Sequence, residues 1–68
     1  MTNTSLLQAV IKESGIKKGK IAETLGISYG SLRKKVNGDV SFTQHEIQSL
    51  CELLNISDLE KRDAIFFS

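Results

Sequence analysis

A single cysteine, Cys51, and a single histidine, His45, stand in the 68 residues of this chain. One cysteine excludes an intramolecular disulfide, and one cysteine with one histidine is too small a ligand set for zinc. Stability must come from packing. No apolar run approaches the roughly 20 residues that cross a bilayer, and the start MTNTSLL has neither the basic residues nor the small-residue cleavage site of a signal peptide. A cytoplasmic protein without membrane contact is expected. Length is short as well: 68 residues, 40% of them hydrophobic, make one small domain with one modest core and no second lobe to form a catalytic cleft. No nucleophile, base and orienting group can be assembled from these residues, so neither an enzyme nor a cofactor or metal is expected.

Net charge is low too, only +1, where dedicated nucleic-acid binders are often strongly basic. Its distribution is uneven. Seven basic residues (Lys12, Lys17, Lys18, Lys20, Arg33, Lys34, Lys35) face two acids (Glu13, Glu23) between Lys12 and Gly38, a local charge of +5. From Asp39 onward two basic residues, Lys61 and Arg62, face six acids, a local charge of −4. A chain polarised in this way can turn a basic face to phosphates and an acidic face away, the alternative being a chance split of solvated surface charge.

The basic half encloses the stretch around which the chain is organised, Lys18 to Asn37. Ile21, Ala22 and Leu25 form one helical face, and Gly26 ends that helix because glycine takes the left-handed conformation without steric penalty. Ser28 then caps a second helix whose inward face is Leu32 and Val36. A small residue at Ala22 permits the close approach that two helices need across a three-residue turn, which is the geometry of a helix-turn-helix. Tyr29, Gly30, Ser31, Arg33, Lys34 and Asn37 are left outside. Of these, Tyr29, Ser31 and Lys34 lie within one turn and can reach base edges in a major groove. Arg33, Lys35 and Asn37 suit the flanking phosphates. Gly30 costs about 1 kcal/mol relative to alanine in a helix, a cost easier to understand where something must approach the backbone. For Tyr29 the competing reading is a packing residue lying flat on the edge of the core.

Elsewhere, Met1 to Thr4 reads as a disordered lead, with Ser5 and Gln8 forming a capping box for a first helix that buries Leu7, Val10 and Ile11 and stops at Gly15. Ile16 is expected to tuck into the core. Lys17 and Lys18 open the second helix, where the dipole disfavours cations; a bound phosphate would account for them, and so would plain solvation. Gly38 and Asp39 close the third helix. Thr43 and Glu46 form a capping box, Phe42 and Ile47 are spaced as a hydrophobic staple, and a fourth helix buries Ile47, Leu50, Cys51 and Leu54. Cys51 is expected in the core and His45 in an exposed first turn. Asn55 suits a helix C-cap, and Ser57 with Glu60 repeats the capping-box spacing for a fifth helix. Ile65 and Phe66 are expected to fold back and finish the core; Phe67 is open to a dimer or partner contact.

Ile21-Ala22, Leu25-Gly26-Ile27-Ser28, Leu32 and Asn37-Gly38, followed by a capped helix ending Leu53-Leu54-Asn55-Ile56, resemble the phage Cro and repressor type of helix-turn-helix domain. The stretch from Ser31 to Gly38 with Phe42 to Ile47 is especially similar to small Cro-like proteins of phages of low-GC Gram-positive bacteria. The resemblance covers about residues 5–57. It implies an all-α, five-helix domain over residues 1–68, with its motif at about 18–37, binding double-stranded operator DNA as a homodimer in the cytoplasm of a bacterial host cell. By position, it places phosphate clamping at Lys18, base reading at Tyr29, Gly30 and Lys34, and backbone contacts at Ser28 and Asn37. The chain departs from the pattern at Lys17, usually a threonine or serine cap, and at Lys35, usually apolar. It departs also at Val36, often a glutamate paired to an arginine of the first helix, and at Gly30, which removes one reading side chain.

Two functions follow. One is a sequence-specific transcriptional regulator of a lysis–lysogeny switch, with its third helix in the major groove. The other is an antirepressor or modulator of the same fold that binds a larger phage repressor and alters its DNA binding, an idea kept by the low net charge, the thinned reading face and the apolar tail.

Overall fold

Five helices are wound from this sequence, and each ends where a local signal ends it. In the computed structural model, which describes residues 2–67, they are α1 (Thr4–Ser14), α2 (Lys18–Leu25), α3 (Tyr29–Val36), α4 (Gln44–Leu53) and α5 (Leu59–Phe66). No strand occurs among the described residues, and no helix is long and apolar enough to cross a membrane. Gly26 stops α2 at φ 72°; its own N–H bonds to the carbonyl of Glu23 and that of Ile27 to the carbonyl of Ala22, so a left-handed residue satisfies two otherwise free acceptors. Asn55 does the same for α4 at φ 59°, with the Ile56 N–H bonded to the Cys51 carbonyl at 2.8 Å.

The core draws one wholly buried aliphatic side chain from each helix: Leu7, Ile21, Leu32, Leu50 and Ile65 are each 0% exposed. At about 1.5–3 kcal/mol for each such side chain removed from water, these five positions alone supply a large part of the drive to fold. Helix α2 packs against α3 and α4, and α1 packs against α3 and α5. Thus α2 and α3 meet across the three residues Gly26 to Ser28, and Ala22 and Leu25 of α2 are buried. Phe42 and Phe66 close the far side of the core edge to face, ring centres 5.7 Å apart.

Four expectations need correction. Residues Asn3 and Thr4 are not a disordered lead: Asn3 caps α1, its side-chain oxygen accepting from the Leu6 N–H, and its own N–H donates to the Ile65 carbonyl at 2.6 Å. Ser5 therefore lies inside the first turn and makes no capping box with Gln8. At α5, Asp58 rather than Ser57 is the cap, accepting from the Glu60 N–H at 2.9 Å. Leu54 is half-buried, not part of the sealed core. The Thr43–Glu46 capping box forms as expected, and Ile65 and Phe66 are buried. Met1 lies outside the described residues.

Candidate nucleic-acid interface

Helix α3 buries Leu32 and Val36, leaves Ser31 and Lys35 half-buried, and turns Tyr29, Gly30, Arg33 and Lys34 to solvent. Ser28 holds its start: the Oγ accepts from the Ser31 N–H at 3.1 Å and donates to the Ser31 Oγ at 3.0 Å. Tyr29, beside it, is 52% exposed and is not one of the side chains packed against the core. Ser28, Gly30, Arg33, Lys34 and Asn37 are exposed as well, and Ser31 is half-buried with its polar groups turned to Ser28. Gly30, Arg33, Lys34 and Asn37 line one shallow concavity together with Asp39, an acid that was not among the expected site residues. Tyr29, Arg33, Lys34 and Asn37 thus stand free of cover by the other described residues. An α-helix is about 10–12 Å across with its side chains, the size that a major groove about 12 Å wide admits.

Gly30 has an ordinary helical backbone, and a Cβ built on it meets nothing within 4 Å. The fold itself therefore gives no reason for a glycine here.

A second cluster lies across the groove between α1 and α2, where Lys12, Lys17 and Lys18 share walls with Gln8, Gly15 and Ile16. Lys12 belongs to this cluster although spacing along the motif did not point to it; its place in the last turn of α1, next to the loop that carries Lys17, was the available signal. Lys17 is the N-cap residue of α2 and supplies no side-chain hydrogen bond, so that helix start lacks the cap that Ser28 provides for α3. Two lysines here oppose the helix dipole, whereas Arg33, Lys34 and Lys35 in the last turn of α3 are in accord with it.

One basic residue is not available. Lys35, expected to suit phosphates, points inward and pairs with Glu46 at 2.5 Å, with only 11% and 10% of the two side chains exposed. The same Glu46 oxygen accepts the Thr43 N–H at 2.9 Å. The signal was present in the sequence, because Leu32, Lys35 and Val36 stand at i, i+3 and i+4 and so share one face. Among the described residues this is the one ion pair, which leaves Lys12, Lys17, Lys18, Lys20, Arg33 and Lys34 without an acidic partner.

Burial pushes the Glu46 carboxyl up, but the Lys35 ammonium and the Thr43 amide together outweigh it and hold the group below its ordinary value of 4.5. A carboxyl lowered on folding contributes stability in full above its unfolded value and loses it as pH falls through the folded one. Acid titration followed by circular dichroism should therefore show wild-type stability falling below about pH 4.5. Glu46→Gln should be less stable at pH 7 by about 1–3 kcal/mol and should lack this part of the acid response. An identical acid profile in both proteins would rule out the assignment. Cys51 is buried in α4, and burial pushes its thiol up against a smaller opposing pull from Arg62. It is a packing residue.

No protein-family model, curated protein or solved structure matches this chain.

Proposed function

We propose that this chain is a Cro/repressor-like helix-turn-helix domain that binds operator DNA as a homodimer and regulates transcription in a phage lysis–lysogeny switch. The observation that carries this reading is the exposed, polar and unpaired surface of α3, set beside lysines that no acid among the described residues neutralises. In it α3 enters the major groove. Tyr29, Ser31 and Lys34 meet base edges, Ser28, Arg33 and Asn37 meet the flanking backbone, and Lys17 and Lys18 hold the phosphates beside the start of α2. Cations without intramolecular partners can neutralise phosphates and release their counterions without first breaking an ion pair of the protein.

Titration of the purified protein against candidate operator fragments at several salt concentrations tests the reading. Neutralising about four to six phosphates per dimer predicts a log–log salt slope of about −4 to −5. Absence of binding at low salt would discard direct recognition. Within the same assay Lys34→Ala is expected to cost about 1–3 kcal/mol and to relax site preference, and Lys18→Ala to weaken all DNA alike and reduce the slope by about one per protomer. Equal effects of both on every sequence would show that the two roles are misassigned.

A second reading, a modulator that binds a larger phage repressor, is favoured by one observation. Helix α5 buries Ile65 and Phe66 on one side, yet leaves Leu59 67% exposed and Phe67, next in the chain, 51% exposed. Two large apolar side chains left in solvent, one at each end of α5, suit a protein contact.

A further inference from the structure

Helix α3 is gripped unevenly. It packs against α2 and α1, while toward α4, beyond their shared part in the core, its one side-chain hydrogen bond is that between Lys35 and Glu46. Beyond that bond the connection turns at Gly38, with φ 87° and so little room that a Cβ would come within 3.1 Å of the Thr4 methyl. Glu46 is also the only charged residue buried among those described, at 7% exposure. A buried ion pair is a poor way to gain stability, since a well-packed apolar pair in its place is often as stable or more so; its best attested use is to fix one arrangement among several. An apolar side chain at position 35 would pack beside Leu32 and Val36 without fixing the pitch of α3 against α4. A lysine there reaches one acceptor in one direction.

We infer that Glu46 is a positioning residue for the reading face: by drawing Lys35 inward it fixes the last turn of α3 against the first turn of α4, and it withholds from DNA a cation that would otherwise bind phosphate without regard to sequence. This rests on the DNA-binding reading above. Selectivity then depends on a residue that never meets DNA. Glu46 discriminates in two ways, through the angle at which Tyr29 and Lys34 are presented and through the removal of one unselective contact per protomer.

Glu46→Gln keeps the oxygen that accepts the Thr43 N–H and removes the negative charge that holds Lys35. Binding to an operator fragment and to a scrambled fragment is measured across salt concentrations, with Lys35→Met alongside. For Glu46→Gln the operator-to-scrambled affinity ratio is expected to fall about tenfold, the size of one lost base-pair discrimination, and the salt slope on both fragments to steepen by about one per protomer as Lys35 becomes free. Lys35→Met is expected to lose the ratio without the steeper slope. A merely structural role would lower both affinities by one factor and leave the slope alone. In the free proteins, amide exchange at Asn37 and Asp39, whose N–H groups bond to the carbonyls of Arg33 and Lys34 at 2.9 and 2.8 Å, is expected to quicken about tenfold relative to α1 in both variants. Wild-type ratio and slope in Glu46→Gln overturn the inference. Wild-type protein that binds no DNA at low salt sinks the functional reading instead, and the exchange rates alone then decide whether Glu46 holds α3.

Discussion

Phe66→Ala is expected to lower stability by about 3–5 kcal/mol, and its neighbour Phe67→Ala by less than about 1 kcal/mol. A chain of 68 residues at about 0.05–0.15 kcal/mol per residue has only about 3–10 kcal/mol in total, so the first substitution removes between a third and all of it. The reason lies in what each ring touches. Phe66 is 3% exposed and meets Phe42 edge to face, and the residue before it, Ile65, is wholly buried and accepts the Asn3 N–H. Truncation at Phe66 opens a cavity at the place where both ends of the chain are fastened. Phe67 stands half in solvent with the Arg62 guanidinium 5.9 Å from its ring centre, an exposed contact of small worth. Urea unfolding of the two variants distinguishes them. An unchanged midpoint for Phe66→Ala would mean that the C-terminal turn is not part of the cooperative fold. Because Phe67→Ala should stay folded, it is also the clean variant for the second functional reading: co-purification with the larger repressor that survives it intact removes this ring from any such contact.

How far the sequence alone reached can be judged from these same ends. Inward stripes were legible wherever apolar residues recurred at helical spacing, as at Leu7, Val10 and Ile11, and wherever glycine had to take a positive φ, as at Gly15 and Gly26. Caps were not, where several candidates stand side by side. Thr2, Asn3, Thr4 and Ser5 can all cap a helix, and the choice of Asn3 comes with a bond to Ile65, more than sixty residues away in the chain, which no local pattern contains. Ser57 and Asp58 are the same problem at α5. In the candidate site, the exposed residues of α3 followed from the position of Leu32 and Val36, since whatever is not inward on so short a helix is outward. Lys35 is the exception, because a charged residue at an inward position is accommodated only if a partner waits there, and Glu46 lies eleven residues on, in the next helix.

Gly30→Ala is expected to change stability and DNA binding in opposite directions. Alanine is favoured over glycine inside a helix by about 0.8–1.0 kcal/mol, partly because glycine leaves the unfolded chain more freedom to lose. Nothing in the protein offsets this: Gly30 has no positive φ, and a Cβ there enters open space. Melting should therefore rise, at about 4–8 °C per kcal/mol for a domain of this size. The same open space is where a base edge must lie if α3 sits in a major groove. A methyl group in that gap is expected to weaken operator binding about tenfold, and Gly30→Leu, which restores helix propensity while projecting four carbons, about a hundredfold, within the range of one to two disrupted base-pair contacts. Fluorescence titration against the operator and thermal melting, run on the same samples, measure both signs. The combination matters more than either value, since a substitution that harms binding by harming the fold cannot raise the melting temperature. Gly30→Leu that melts higher and still binds with wild-type affinity would show that nothing approaches the first turn of α3, and the reading face would have to be sought elsewhere on the molecule.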